Sequence, residues 1–280
     1  MKRLLFFLLF LFISCGIPSR LAKKEIDSIM RGTVTALFEE SDAVLAEAAL
    51  PTGLKLIEGL LYSYPGDINY AILGSQAYCS YSLGYVENRD TLRAIALYHK
   101  GMEIAEKILG YDPAQLSPET LNNYVKNTPK EKLPLLFWYA FNWSCAINLQ
   151  ISEPSAAMAL TPITIMMDQI TLTIPDYYYY SVHIFWGAYY AMLPPLAGGD
   201  IEKSRLHFET AFNGNHRNFL LTHYYFLKYY CLTTMDEELF DKTVAEVMAF
   251  PLDRYPEFRL ANQIAIDRIR DLIKQKENYF

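Results

Sequence analysis

Pairs of predicted helices recur along the sequence, and this pattern limits the possible folds more than any other feature. Each pair is marked by a small residue where two helices approach and by a large residue that fills the space beside them. Ordered matches occur at Gly53-x3-Ile57-x2-Leu60, at Leu73-Gly74 followed by Ala94-x3-Tyr98-x2-Gly101, at Trp186-Gly187 followed by Ser204-x3-Phe208-x2-Ala211, and at Phe240-x3-Val244-x2-Val247. The sequence therefore predicts a series of helical hairpins.

The residues at the starts of these segments are also typical of helices. Typical helix starts, with a cap, a proline or acids in the first turn, occur at Ser117-Pro118-Glu119, Pro175-Asp176 and Asp236-Glu237-Glu238. The hairpins match the tetratricopeptide pattern, although two of them are longer than a regular repeat. We predict an all-α fold, an irregular tetratricopeptide-like array of helical hairpins with about 11–12 helices over residues 25–280. A general α-helical fold with chance matches is the alternative.

The N-terminal segment has the charge order of a secretory signal. Lys2 and Arg3 precede an apolar run, Leu4–Ile13, that is shorter than the roughly 20 residues a membrane-spanning helix needs. We therefore predict residues 1–14 as a signal peptide that is removed on export.

Cys15 follows the predicted signal directly. Phe12-Ile13-Ser14-Cys15 resembles a bacterial lipobox, in which the cysteine thiol is acylated. We predict lipidation of Cys15, a lipid-attached tether over residues 15–24 and a periplasmic location on a membrane. Gly16 favours the outer membrane. An ordinary signal peptide with an incidental cysteine is the alternative.

Charge and motif content argue against several classes of function. The formal net charge is −6 and basic residues are not clustered, so we expect no binding of nucleic acid. The histidines and cysteines show no zinc-ligand spacing, and the sequence contains neither a nucleophile elbow nor a glycine-rich phosphate loop. We therefore predict no enzymatic activity, no metal and no cofactor.

A block near residue 200 resembles a known family. The stretch Leu193-Pro194-Pro195-Leu196-Ala197-Gly198-Gly199-Asp200-Ile201-Glu202-Lys203-Ser204, running on to His207-Phe208-Glu209-Thr210-Ala211, is similar to the T-component of tripartite ATP-independent periplasmic (TRAP) transporters. The aromatic helix Phe137–Trp143 and the lipoprotein start are also similar to that family. Phe12 in the lipobox and Ser204, where alanine is commoner, depart from its pattern.

The resemblance implies several properties. It implies an all-helical periplasmic protein, a homotrimer with a pore through each protomer, and no catalysis. It also implies partnership with a periplasmic TRAP substrate-binding protein.

Aromatic residues in two segments are candidates for a ligand channel or a partner contact. Tyr177, Tyr178, Tyr179 and Tyr180 would cover every side of one helical turn, so some of these rings must face water, a cavity or another chain. Tyr139, Asn142 and Trp143 form a second candidate set on an apolar helix. Ordinary core packing is the alternative for both sets.

The combined features predict a lipid-anchored periplasmic accessory subunit of a TRAP-type uptake system. We expect it to bind a substrate-binding protein and to channel a small hydrophobic ligand. A lipoprotein scaffold for envelope assembly is the alternative.

Overall fold

A computed structural model describes residues 16–151 and 153–280 of the chain. Within these ranges the protein is built from helices and contains no β-strand, which confirms the all-α prediction. Cys15 and the predicted signal peptide, residues 1–14, lie outside the described residues.

The described ranges contain 12 helices, in agreement with the number expected from the sequence. Two of them include a π-helical segment, in which the helix carries one extra residue per turn. The helices are α1 (Gly16–Phe38), α2 (Ala43–Ser63), α3 (Ile68–Tyr81, continued by the π-helical Ser82–Val86), α4 (Thr91–Leu109), α5 (Pro118–Lys126), α6 (Leu133–Asn148), α7 (Pro154–Thr173), α8 (Tyr177–Met192), α9 (Ile201–Gly214), α10 (Leu221–Tyr225, continued by the π-helical Phe226–Cys231 and by Leu232–Thr234), α11 (Glu237–Met248) and α12 (Arg259–Lys274).

Aspartate side chains start many of these helices. Asp42, Asp67, Asp90, Asp200 and Asp236 each accept a hydrogen bond from a backbone N–H in the first turn of the helix that follows. Such caps satisfy N–H groups that have no partner within the helix. The predicted start at Asp236 is thereby confirmed, as is the one at Ser117, whose hydroxyl caps α5.

Helices α8 and α9 form a close hairpin. A Cβ atom placed on Gly187 would lie only 2.7 Å from the ring of Phe208, so the helices approach as closely as they do because position 187 is glycine. The Ser204 hydroxyl donates a 2.7 Å hydrogen bond to the Gly187 carbonyl across the same contact. The small and large residues of this predicted repeat therefore pack against each other.

The turn before α9 depends on two glycines for different reasons. Gly198 has a φ of 96°, which side chains with a Cβ rarely adopt. At Gly199 a Cβ would lie 1.7 Å from the Leu193 carbonyl oxygen, so this position needs glycine for close approach. Position 198 therefore needs glycine for its backbone conformation, and position 199 needs it for space.

The buried side chains divide into two main clusters. The first lies mainly among α2–α7 and includes Trp138 and Tyr98, whereas the second lies mainly among α8–α12 and includes Phe208 and Phe240. The two clusters define an N-terminal half and a C-terminal half of the helical array. Their junction positions the candidate site.

The last helix packs back onto the first elements of the chain. Helix α12 contacts α1, α2 and α10, and Arg259 Nη1 donates a 2.9 Å hydrogen bond to the carbonyl of Glu39, just after α1. Further along α12, Arg268 donates a hydrogen bond to the carbonyl of Leu83 in the π-helical segment of α3. The helical array is therefore closed rather than open-ended.

Candidate functional site

A cavity of about 80 Å³ lies where the two halves of the protein meet. It is lined by α3, α6, α7, α8 and α10, and most of the lining is aromatic or aliphatic. Its aromatic lining residues are Phe141, Phe185, Tyr189, Tyr224, Tyr225 and Tyr229. We refer to this space as the aromatic cavity.

A second void of about 40 Å³ adjoins the aromatic cavity. Both are bordered by the side chains of Leu83, Phe141, Ile184 and Tyr225. The smaller void extends toward Trp138 and Tyr178. The two spaces are therefore neighbours between the halves and share part of their lining.

Both π-helical segments of the described chain flank the aromatic cavity. Leu83 belongs to the first segment and Glu87 follows it directly, while Lys228 and Tyr229 belong to the second. An extra residue in a helical turn rotates the side chains that follow it to a new face, and such turns are frequent at functional sites. The two irregular turns thus place the charged lining residues.

Glu87 is the acidic side chain of the cavity lining, and it is already engaged. Its Oε2 accepts a 2.8 Å hydrogen bond from the Tyr98 hydroxyl, and Arg268 Nη2 lies 3.5 Å from its Oε1. The Glu87 and Arg268 side chains are only 10% and 8% exposed. A buried carboxylate needs such a partner, and Arg268 neutralises its charge.

Lys228 is the basic side chain of the lining, and its surroundings differ from those of Arg268. Its Nζ lies 5.2 Å from the centre of the Tyr229 ring and 5.7 Å from that of Tyr224. In residues 16–151 and 153–280, no carboxylate oxygen lies within 4.0 Å of the Lys228 Nζ, which is the distance limit for an ion pair. Burial alone would lower its pKa, but Tyr229, Tyr224 and Glu87 more than offset burial, so the pKa of Lys228 lies above its usual value.

A family model provides the comparison that identifies the chain. The model of the TRAP transporter T-component matches residues 39–280, which takes in helices α2–α12 and therefore the whole lining of the aromatic cavity. This chain belongs to the TRAP transporter T-component family. No curated protein matches the sequence.

The family membership confirms the resemblance noted in the block at residues 193–211 of this T-component. It also supports the prediction of an accessory subunit of a TRAP transporter. In the described part of the T-component, no helix is long and apolar enough to cross a membrane. The described residues also contain no group of three histidine, cysteine or acidic side chains that could hold a metal ion.

The second candidate set, on α6 of the T-component, lies mainly inside the N-terminal half. The Tyr139 hydroxyl donates a 2.7 Å hydrogen bond to Asp112, and Trp143 is half-buried with its ring edge-on to Tyr139. Asn142 is fully buried, and its amide donates to the carbonyls of Ser75 and Trp138 at 3.1 Å and 2.8 Å. These three residues do not line the aromatic cavity, whereas their neighbours Phe141, Ser144 and Cys145 do.

The tyrosine run has a backbone that the sequence did not predict. Tyr178, Tyr179 and Tyr180 have φ values of 46°, 60° and 64°, in the left-handed region. The prediction that the run forms one ordinary helical turn is therefore wrong, and the right-handed part of α8 follows it. Left-handed backbone costs about 1–2 kcal/mol per residue, so the surrounding contacts must stabilise it.

Those contacts differ for each ring. Tyr178 packs edge-on to Trp138 of the first cluster, at 4.7 Å between ring centres, and also contacts Phe219 of the second. Tyr179 packs on Phe219 at 4.9 Å, and the Tyr180 ring covers Gly214. The left-handed turn thus sends successive rings into different parts of the structure and joins the two halves.

Tyr177 sits on the N-terminal side of this junction. Its hydroxyl accepts a 2.9 Å hydrogen bond from Trp138 Nε1, and burial raises its pKa to about 12. Among the predicted site residues, Tyr178 lines the smaller void.

Lys228 and Glu87 were not among the residues singled out from the sequence. Glu87 follows an apolar helix whose sequence has the pattern of an ordinary buried helix up to its end. Lys228 carried a signal that could have been used, because it is a lone charge within the apolar stretch Phe226–Cys231. A single charge inside such a stretch indicates a partner or a cavity.

Proposed function

We propose that this T-component is a lipid-anchored periplasmic subunit that binds the substrate-binding protein of a TRAP system and gives passage to a small, largely hydrophobic ligand. The observation that carries the proposal is the aromatic cavity, which lies at the junction of the two halves. Cavities lined by apolar and aromatic groups with a few polar ones are typical of small-molecule sites.

The series of two voids supports passage rather than simple storage. Side chains of Leu83, Phe141, Ile184 and Tyr225 border both spaces, and in this proposal rotations of these side chains join them. A ligand that moves from one void to the other would come into contact with Tyr178. We therefore keep Tyr178 as a channel residue in this proposal.

The partner surface is proposed to include Trp143 and the tyrosine run. Trp143 and Tyr177–Tyr180 are half-buried, so each residue keeps some surface that another chain can contact. Tyrosine and tryptophan are enriched at interfaces because a rigid ring buries much area with little loss of entropy. Tyr139 and Asn142 would support this surface from within the core. A homotrimer remains part of the proposal.

Association with the substrate-binding protein encoded beside this gene tests the proposal. We expect the two proteins to co-sediment, with Trp143→Ala and Tyr180→Ala each weakening the complex by about 1–4 kcal/mol. Tyr62→Ala provides the control, since Tyr62 is 87% exposed on α2 and distant in sequence from both sets. Independent sedimentation of the two proteins, with and without ligand, would contradict the proposal. Equal effects of all three substitutions would contradict the assigned surface alone.

A further inference from the structure

Two cysteines on different helices of the N-terminal half lie against each other. Cys79 belongs to α3 and Cys145 to α6, and both are free thiols. The Cys145 thiol lies within hydrogen-bonding reach of the Cys79 thiol. Cys231 is also a free thiol, but it belongs to the second buried cluster, whereas the other two lie in or against the first. The described residues therefore hold one pair of neighbouring thiols and one separate thiol.

The packing of α3 against α6 makes this thiol contact a stable feature. Asn142 Nδ2 on α6 donates a 3.1 Å hydrogen bond to the backbone carbonyl of Ser75 on α3. A side chain of one helix reaches the backbone of another only where the two helices approach closely. Cys79 and Cys145 each lie about one turn further along these helices, so the same close approach brings their thiols together. The Asn142 side chain is fully buried, and loss of its hydrogen bonds would be unfavourable.

The two thiols differ in reactivity. Cys79 is 1% exposed, and burial together with the contact to Cys145 raises the pKa of its thiol well above the usual value. Cys145 is half-buried and lines the aromatic cavity. That cavity, of about 80 Å³, has room for a molecule little larger than water, which occupies about 30 Å³ in the liquid. Because the thiolate is the nucleophile, a small oxidant in the cavity reacts first at Cys145.

We propose that Cys79 and Cys145 form a dithiol that hydrogen peroxide converts to a disulfide. In the first step the Cys145 sulfur bonds to one peroxide oxygen, the O–O bond breaks, and the other oxygen leaves as water with the thiol proton. In the second step the Cys79 sulfur bonds to the Cys145 sulfur, the S–O bond of the sulfenic acid breaks, and hydroxide leaves as water with the Cys79 proton. Two thiols thus supply the two electrons that reduce one peroxide.

The proposed disulfide joins α3 to α6 beside both voids. Cys145 lines the aromatic cavity, and Cys79 lines the smaller void. A covalent bond at this position limits how far the two helices can separate. It also closes a loop over residues 79–145, which restricts the unfolded chain and should raise the melting temperature of the oxidised protein. The inference is independent of the partner and of the ligand proposed above.

Peptide mapping by mass spectrometry without reduction, after treatment of the folded full-length protein with hydrogen peroxide, tests the inference. We expect a crosslink between the peptides that carry Cys79 and Cys145, with the loss of two hydrogen atoms per chain and reversal by dithiothreitol. Cys145→Ser should abolish the crosslink. Cys231→Ser is the matched control and should leave the crosslink unchanged, since Cys231 lies in the other cluster.

A second variant keeps the test decisive if Cys145→Ser fails to fold. Cys79→Ala removes the resolving thiol, so Cys145 should accumulate as a sulfenic acid that dimedone labels, whereas the wild type should lose this label as the disulfide forms. Equal labelling of the wild type and Cys79→Ala would overturn the inference. Oxidation of Cys145 to a sulfinic acid with Cys79 still reduced, or a crosslink that forms equally fast in urea, would also overturn it.

Discussion

The Nδ1 atoms of His183 and His207 lie 2.9 Å apart, across the contact between α8 and α9. At this distance one ring must donate its proton and the other must accept it, so the two rings cannot both be protonated. Burial lowers the pKa of His183, and burial together with the neighbouring His183 lowers the pKa of His207 to about 4. The pair is therefore neutral in the folded protein at neutral pH.

This histidine pair predicts a loss of stability in mild acid. Histidine in the unfolded chain has a pKa of about 6.5, above the folded value of His207, so the unfolded state takes up protons first as the pH falls. The contribution of the neutral pair to the free energy of unfolding should be complete above about pH 6.5 and should be lost as the pH falls toward about 4. Urea unfolding at a series of pH values measures this change.

Two variants control that measurement. His207→Gln should reduce the dependence of the unfolding free energy on pH, because it removes a histidine whose folded pKa is lowered. His99→Gln should leave the dependence unchanged, since His99 is exposed. A slope that is the same in wild type and His207→Gln would show that the pair is not its cause.

Gly187→Ala should destabilise the α8–α9 hairpin. The new Cβ would lie 2.7 Å from the Phe208 ring, and relief requires movement of a ring that is fully buried. Overpacking of this kind costs about 1–3 kcal/mol. Gly59 lies on the exposed surface of α2 with open space around it, so Gly59→Ala should instead raise the free energy of unfolding by about 0.5–1 kcal/mol. Equal unfolding midpoints for the two variants would contradict the close contact.

Met235→Gly should stabilise the protein at the end of α10. Met235 has a φ of 54° and is 62% exposed, so its side chain adds left-handed strain and buries little surface. Glycine removes most of that strain. We therefore expect the free energy of unfolding, measured by thermal unfolding, to increase by about 1 kcal/mol.

The reverse substitution, from glycine to a residue with a side chain, should destabilise the end of α4. Gly110 has a φ of 83° with open space around it, so Gly110→Ala should cost about 1 kcal/mol through the backbone alone. If both substitutions shift the melting temperature in the same direction, backbone strain does not govern these helix ends.

Cys15→Ser should release the protein from the membrane fraction. The prediction follows from the lipobox-like Phe12-Ile13-Ser14-Cys15, and each acyl methylene that enters a bilayer contributes about 0.8 kcal/mol to anchoring. Fractionation and metabolic labelling with palmitate measure the change, with Cys231→Ser as the control because Cys231 is buried in the core. Membrane retention of Cys15→Ser without lipid label on the wild type would rule the anchor out.

Contacts between helices adjacent in the chain could be predicted from the sequence. The Gly187–Phe208 contact follows from local spacing, because a small residue on one helix and a large one on the next must face each other in a short hairpin. The caps at Asp200 and Asp236 follow from their position before the first turn. These features depend on nearby residues, which is why the sequence reveals them.

The left-handed tyrosine turn could not be predicted in this way. Its stability depends on Trp138, Gly214, Phe219 and Phe258, which lie elsewhere in the chain. Isolated tyrosines strongly prefer right-handed backbone, so the sequence alone pointed to an ordinary turn. Tertiary contacts decided the conformation.

The charged part of the candidate site was missed for a similar reason. Glu87 and Lys228 are far apart in the sequence, and each follows or lies within a π-helical segment that changes which face its side chain occupies. A pattern with an ordinary helical period assigns these side chains to other faces. The cavity therefore becomes visible only when the two halves are placed together.

The contact of α12 with the start of the chain fixes how many hairpins the protein can have. An open repeat protein can lengthen during evolution by duplicating one unit, because each unit touches only its neighbours. Here an added unit would carry Arg259 away from Glu39 and Arg268 away from Leu83. Duplication of a hairpin would break both attachments at once, so we expect this lineage to vary in its loops and to keep its helix number constant.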